Sequence, residues 1–220
     1  MAARLTKVRQ RAAVLISGRG SNMASLVAAS RDPAYPVEIA LVLSNRSQAP
    51  GLALGASLGV PTAVVAHRQF AGDRAAHEAA IDAALQAADI QLVCLAGYMR
   101  LMTPFLIERW AGNMMNIHPS LLPAFPGLDT HARALAAGVK LHGCTVHLVT
   151  QTMDEGPILA QAAVPVMPDD TEHTLAARVL AQEHLIYPLA VRLFATHQAG
   201  IAPPDGIALL NPLPSGAALP

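Results

Sequence analysis

An excess of charge of either sign is missing from this chain: 15 Lys and Arg balance 15 Asp and Glu, the formal net charge is zero, and the basic residues stand scattered. A nucleic-acid or anionic-membrane surface therefore has no electrostatic basis, and a small ligand is expected instead. Long hydrophobic runs are missing too. No apolar segment approaches a membrane span, and residues 1–10, with Arg4, Lys7 and Arg9, hold no apolar core of signal-peptide length. A cytoplasmic location with no membrane partner is the expectation. Cysteine is scarce: Cys94 and Cys144 lie in apolar strand-like runs without Cys-x-x-Cys spacing, which suits buried thiols in a reducing compartment better than a disulfide. Internal repeats and low-complexity tracts are absent.

What is present suits one well-buried α/β domain, since the chain has 220 residues and is 53% hydrophobic. The domain is expected over residues 1–201. Residues 202–220 carry five prolines and no periodicity, and are expected to form a poorly ordered or surface-draped tail.

Residues 12–16 are continuously apolar and meet Ser17, Gly18, Arg19, Gly20, Ser21 and Asn22, after which Met23, Leu26 and Val27 recur at helical spacing. This pattern predicts a buried strand, a glycine-bearing turn and a helix. Glycines permit close backbone approach and the free N–H groups of a helix start attract an anion, so a phosphate site is expected; an ordinary tight turn is the alternative. A dinucleotide fingerprint is excluded. Met23 stands where the third glycine belongs, and the next strand, 37–43, ends in Ser44, Asn45 and Arg46 with no acid for a ribose. A phosphomonoester fits better than NAD.

Helices near 51–58, 69–88 and 104–110 alternate with strands at 62–65, 90–96 and 113–117, which predicts a doubly wound, mostly parallel sheet. The strand 90–96 is apolar throughout and so belongs at the centre. The loop leaving its carboxyl end, from Gly97 to Pro104, lies where such sheets bind ligands; packing of its apolar residues on the next helix is the alternative. Arg74, in the first turns of the long helix, reads by itself as solvated. Asp129 or Thr130 is expected to cap a helix running to about residue 137. Residues 141–149 alternate, with His142, Cys144, Val146 and Leu148 on one face and Gly143, Thr145, His147 and Val149 on the other. A less evenly buried strand is expected there, pairing antiparallel with 158–166. A last helix, 171–196, opens on a Thr-x-x-Thr start.

The stretch 116–123, Asn-Ile-His-Pro-Ser-Leu-Leu-Pro, places an amide, an imidazole and a hydroxyl within five residues. Strand side chains alternate with a period of two, so Asn116 and His118 fall on one side. Pro119 and Pro123 then stop regular structure, setting His118 at the mouth of the sheet and not within it. A loop histidine bonded to backbone is the alternative. Asp154 and Glu155, adjacent acids in a Gly-Pro loop, read alone as a solvated turn.

Taken together, these segments resemble the glycinamide ribonucleotide formyltransferases of purine biosynthesis. The resemblance rests on residues 15–22, 95–100, 116–123, 142–147, 154–158 and 182–184, in family order and spacing from about 12 to 195. The broader superfamily, with methionyl-tRNA formyltransferase and formyltetrahydrofolate hydrolase, shares the Asn-x-His and the downstream Asp; the Gly-Ser-Asn turn and the lack of a further domain favour the nucleotide enzyme. The resemblance implies formyl transfer from 10-formyltetrahydrofolate, as co-substrate, to the amine of glycinamide ribonucleotide. It implies that residues 12–110 form the phosphate side and 111–201 the catalytic and folate side. Gly20, Ser21 and Asn22 would hold the phosphate and Glu183 the ribose. Met99, Arg100, Leu101, Met102, Asn116 and Val149 would line the folate pocket, with 149–154 as its other wall and Arg74 nearby. Asn116, His118 and Asp154 would be catalytic. One departure stands at Asp129, where many members carry histidine, so no role in water or proton handling is carried over to 129, nor to His131.

Such a reaction builds a tetrahedral intermediate with an anionic oxygen, for which Asn116 and protonated His118 would supply donors, each typically worth about 2.7–4 kcal/mol. A nearby Asp154 carboxylate favours the charged imidazole, and His118, Asp154 and an intervening water could relay protons from the amine to the departing folate nitrogen. No metal is expected, because His118, His131, His142 and His147 lack zinc-ligand spacing. Two rivals remain: a formyltetrahydrofolate hydrolase using the same three residues, and a nucleotide-binding module without catalysis. Oligomeric state stays open between monomer and homodimer.

Overall fold

The computed structural model describes residues 9–198; the expected tail at 202–220 lies outside the described residues. Seven strands of the described residues form one sheet in the order β3-β2-β1-β4-β5-β6-β7. They are β1 (Gln10–Ile16), β2 (Val37–Ser44), β3 (Thr62–Val64), β4 (Leu92–Leu95), β5 (Met114–His118), β6 (Leu141–Leu148) and β7 (Ile158–Pro165). The first five run parallel, and β6 pairs antiparallel with β5 and with β7. The expected fold class, a doubly wound sheet with a C-terminal antiparallel pair, is observed. The chain winds outward from β1 to β3, then returns to place β4 on the other side of β1. That reversal opens a crevice between the carboxyl ends of β1 and β4, where sheets of this type bind ligands.

Among the described residues, six helices cover the sheet: α1 (Ser21–Ser30), α2 (Pro50–Ser57), α3 (Arg74–Ala87), α4 (Pro104–Arg109), α5 (Thr130–Ala136) and α6 (Glu172–Gln198). Because strand side chains alternate, β1 sends Ala12, Val14 and Ile16 to a core shared with Met23, Leu26 and Val27 of α1 and Val179, Ile186 and Tyr187 of α6. Ala13 and Leu15 enter the opposite core with Ile81 and Leu85 of α3 and Leu106 of α4. The Tyr187 hydroxyl donates to the carbonyls of Leu95 (3.0 Å) and Met115 (3.3 Å), which pins α6 beneath the ends of β4 and β5. The start of α6 is capped reciprocally, Thr171 N–H donating to Thr174 Oγ1 and Thr174 N–H to Thr171 Oγ1.

Three local expectations are corrected. The helix foreseen over 69–88 is divided: a 3-10 turn, His67–Phe70, gives way to Ala71 and Gly72 at φ 47° and 92°, and α3 starts only at Arg74. Asp73 forces the restart by accepting the Ala76 N–H at 2.9 Å as N-cap. Strand β6 is buried on both faces from His142 to His147, because it lies between β5 and β7 with α6 against it. Neither candidate caps α5. Asp129 sits at φ 55° with no side-chain cap, and the Thr130 hydroxyl donates to the Pro119 carbonyl at 2.7 Å.

Candidate active site

The turn after β1 is shaped by Gly20, whose φ of 77° favours glycine and whose added Cβ would meet Gly51 Cα and Met23 Cε at 3.1 Å. A cavity of about 250 Å³ opens over this turn, lined among others by Arg19, Gly20, Ser21, Asn22, Arg46 and Met99. The turn's amide groups and α1 start make it a natural anion cradle, and the two guanidinium groups strengthen the field. Glu183, reaching over from α6, accepts a hydrogen bond from Asn22 Nδ2 at 2.6 Å, while Asn22 Oδ1 is buried without a partner among the described residues. Burial pushes the Glu183 carboxyl up, and the Asn22 bond pulls it partly back. Four expected substrate residues thus converge on one place. Arg19 and Arg46 were not singled out from sequence for this role.

Strand β5 ends on His118 itself, which pairs with Thr145, so the imidazole stands on the last rung and not beyond the sheet. The following loop is tied down by β6 and β7: Thr145 Oγ1 donates to the Ser120 carbonyl and accepts from Leu122 N–H, and Gln161 Nε2 donates to the Leu122 carbonyl. This tethering brings the Phe125 carbonyl to 3.0 Å from His118 Nε2. On the other side of the ring, Asp154 Oδ2 lies 3.5 Å from Nδ1. The ring thus bonds the Phe125 carbonyl through Nε2 and holds Nδ1 within ion-pair distance of the Asp154 carboxylate. The Asp154 side chain is only 10% exposed, while Glu155 is exposed, so this pair of acids is no solvated turn. Gly127 N–H fixes the carboxylate at 2.8 Å, and Asp154 holds a φ of 59°.

Asn116 and His118 do share a face of β5, and a residue not singled out by sequence completes the group. His147 lies opposite Asn116 across the β5–β6 ladder. Its Nδ1 is 2.9 Å from the Leu148 carbonyl, so Nδ1 carries the proton and Nε2 accepts from Asn116 Nδ2 at 3.3 Å. Burial lowers the His147 pKa, which keeps the ring in that neutral form. The Asn116 amide is thereby oriented, with no acceptor for its second N–H among the described residues. His131 and His142 form a separate pair, Nδ1 to Nε2 at 3.2 Å, with His142 pushed down to about 4 by burial and by its histidine neighbours.

On the folate side, Met99 and Leu101 are 56% and 60% exposed in the loop leaving β4, and Arg100 Nε is buried without a hydrogen-bond partner among the described residues. Met102 and Val149 are half-buried against the α3–α4 core. Arg74 is exposed on the first turn of α3.

A family model described as formyl transferase matches residues 10–191. The chain belongs to the formyl transferase family. Within it, the chain is 40% identical over 208 residues to the phosphoribosylglycinamide formyltransferase of Haemophilus influenzae, covering 94% of this chain and 95% of that protein. It is 43% identical over 201 residues to the trifunctional purine biosynthetic protein adenosine-3 of Drosophila melanogaster, covering 90% of this chain and 15% of that protein. The chain thus spans a minor part of the trifunctional relatives and nearly all of the bacterial one. The crystal structure of phosphoribosylglycinamide formyltransferase from Brucella melitensis superposes with a TM-score of 0.82 at 54% identity, covering 86% of this chain and 96% of that one. For this formyltransferase no helix among the described residues is long and apolar enough to cross a membrane.

Proposed function

We propose that the chain transfers a formyl group from 10-formyltetrahydrofolate to the amine of glycinamide ribonucleotide. Its match along nearly the whole length of a phosphoribosylglycinamide formyltransferase supports the activity, and the approach of Asp154, distant in sequence, to His118 on the strand that also carries Asn116 supports the residue assignment. The phosphate lies in the Gly20–Asn22 turn with Arg19 and Arg46 beside it, and Glu183 holds the ribose. Formylfolate lies along Met99 to Met102 and Val149, with Arg74 at the edge and the buried Arg100 Nε–H as a donor.

The amine attacks the formyl carbon, and the carbonyl oxygen becomes an anion. Asn116 donates its free N–H to that oxygen, its amide held in register by His147. The formyl oxygen takes over from the Phe125 carbonyl the N–H of the charged His118. Two preorganised donors of this kind are each worth about 2.7–4 kcal/mol. As the intermediate collapses, the amine's proton passes through water, Asp154 and His118, and the departing folate nitrogen receives one, so protons balance. Such a reaction belongs with the cytoplasmic location expected above.

The test is product analysis on purified protein with 10-formyltetrahydrofolate, with and without glycinamide ribonucleotide. Tetrahydrofolate should form only when the ribonucleotide is present, matched by formylated ribonucleotide. Formate released at the same rate without the ribonucleotide would establish the hydrolase instead, and no turnover at all the binding module.

A further inference from the structure

The loop that leaves β4 is fastened at both ends by buried side chains that the proposed chemistry does not use. At its start, Met99 N–H donates to Ser17 Oγ at 2.8 Å, and that hydroxyl donates to Asn45 Oδ1 at 2.7 Å. At its end, one residue occupies both oxygens of the Glu78 carboxylate. Thr103 N–H donates to Oε1 at 2.7 Å and the Thr103 hydroxyl to Oε2 at 2.5 Å.

Both partners give up something for this link. Glu78 is 2% exposed, and no cationic nitrogen of the described residues forms an ion pair with it within 4 Å. A carboxylate buried in that way is unfavourable unless its hydrogen bonds are strong. Packing of α3 does not call for it, since Ile81 and Leu85 supply the apolar contacts. Thr103 is the N-cap residue of α4, where a threonine hydroxyl ordinarily accepts an N–H of the first turn. Here it makes no cap bond and points to Glu78. The link therefore fixes where the chain between Met99 and Thr103 rejoins regular structure, leaving Arg100, Leu101 and Met102 as a short strap pinned on either side.

We infer that Glu78 is a positioning residue for formylfolate: its clamp on Thr103 holds the 100–102 strap in the shape that walls the folate pocket. The inference rests on the proposed reading of that strap as the folate wall. A pinned strap is already ordered before the ligand arrives, so binding does not have to order it. The ribonucleotide cradle at Gly20 to Asn22 is built on other elements and does not depend on Glu78.

The test is a comparison of KM values for both substrates in wild type, Glu78→Ala and Glu78→Gln. Glu78→Ala removes both acceptors and is expected to raise KM for formylfolate at least tenfold while the ribonucleotide KM stays within twofold. Glu78→Gln keeps a carbonyl for the Thr103 N–H and offers an amide donor to its hydroxyl, so it should restore the folate KM to within threefold of wild type. A folate KM unchanged in Glu78→Ala, or both KM values rising together, overturns the inference. Where Glu78→Ala does not fold, Thr103→Val against Thr103→Ser makes the same comparison, with the valine variant alone losing folate affinity. Should wild type transfer no formyl group, the proposed function fails by itself. The clamp is then read from amide hydrogen exchange, at least tenfold faster at Thr103 in Glu78→Ala, and unchanged exchange refutes it.

Discussion

Replacing Asp154 by Asn keeps the shape of the side chain and removes its charge, and with it the oxygen that accepts a proton in the relay. The residue sits at φ 59°, a left-handed conformation that Asn tolerates as well as Asp does, and the amide oxygen can still accept the Gly127 N–H. What is lost is the charge 3.5 Å from His118 Nδ1. Unit charges about 4 Å apart attract by about 4 kcal/mol at an effective dielectric of 20. Water at the partly open edge of the carboxylate weakens this, so roughly 2–4 kcal/mol of attraction between the carboxylate and positive charge on the imidazole in the transition state disappears. Each 1.36 kcal/mol is a factor of ten, so kcat should fall by about 30- to 1,000-fold. Neither KM should move more than about threefold, because neither proposed binding subsite uses the charge. The assay is kcat between pH 6 and 9, followed through tetrahydrofolate formation. A variant whose kcat stays within threefold of wild type from pH 6 to 9 would refute this use of Asp154.

Gly20→Ala forces a side chain onto a φ of 77° and against Gly51 Cα at 3.1 Å. A left-handed non-glycine residue costs roughly 1–2 kcal/mol, and calorimetry should show ribonucleotide binding weakened about tenfold, with an unchanged constant counting against the phosphate turn. Stability should fall with acid: the folded His142 pKa is pushed down to about 4 and the unfolded value is about 6.5. The unfolded chain then takes the proton first. This contribution is whole above about pH 6.5 and is lost as pH drops toward 4, up to about 3 kcal/mol. His77, His131, His147 and His184 are lowered by burial as well and act in the same direction. Urea midpoints at pH 7.5, 6 and 5 measure it, and a flat series contradicts the burial of these rings.

The strands and the turn after β1 were legible because their signals are local. Residues 12–16 and 92–95 are apolar without interruption, and strands of that kind are buried on both faces of a parallel sheet. The pairing of His147 with Asn116 was not legible, since it depends on the antiparallel register of β5 and β6 across a separation of 31 residues. The same limit hid the Glu78 clamp and the inward turn of Asp154, which by local composition belongs to a solvated loop. The divided helix before α3 was a matter of competition: alanines favour continuation, while Gly72 and the Asp73 cap end it and begin another.

The central claim is that the imidazole at 118 acts on the reacting carbonyl and leaves nucleotide affinity to other residues. Single-turnover formyl transfer by His118→Ala, with ribonucleotide affinity measured on the same preparation, tests it most directly. The expected result is a transfer rate at least about 1,000-fold below wild type, from the lost donor and the lost proton relay together, with the ribonucleotide dissociation constant within threefold. A rate within tenfold of wild type at unchanged affinity would contradict the account.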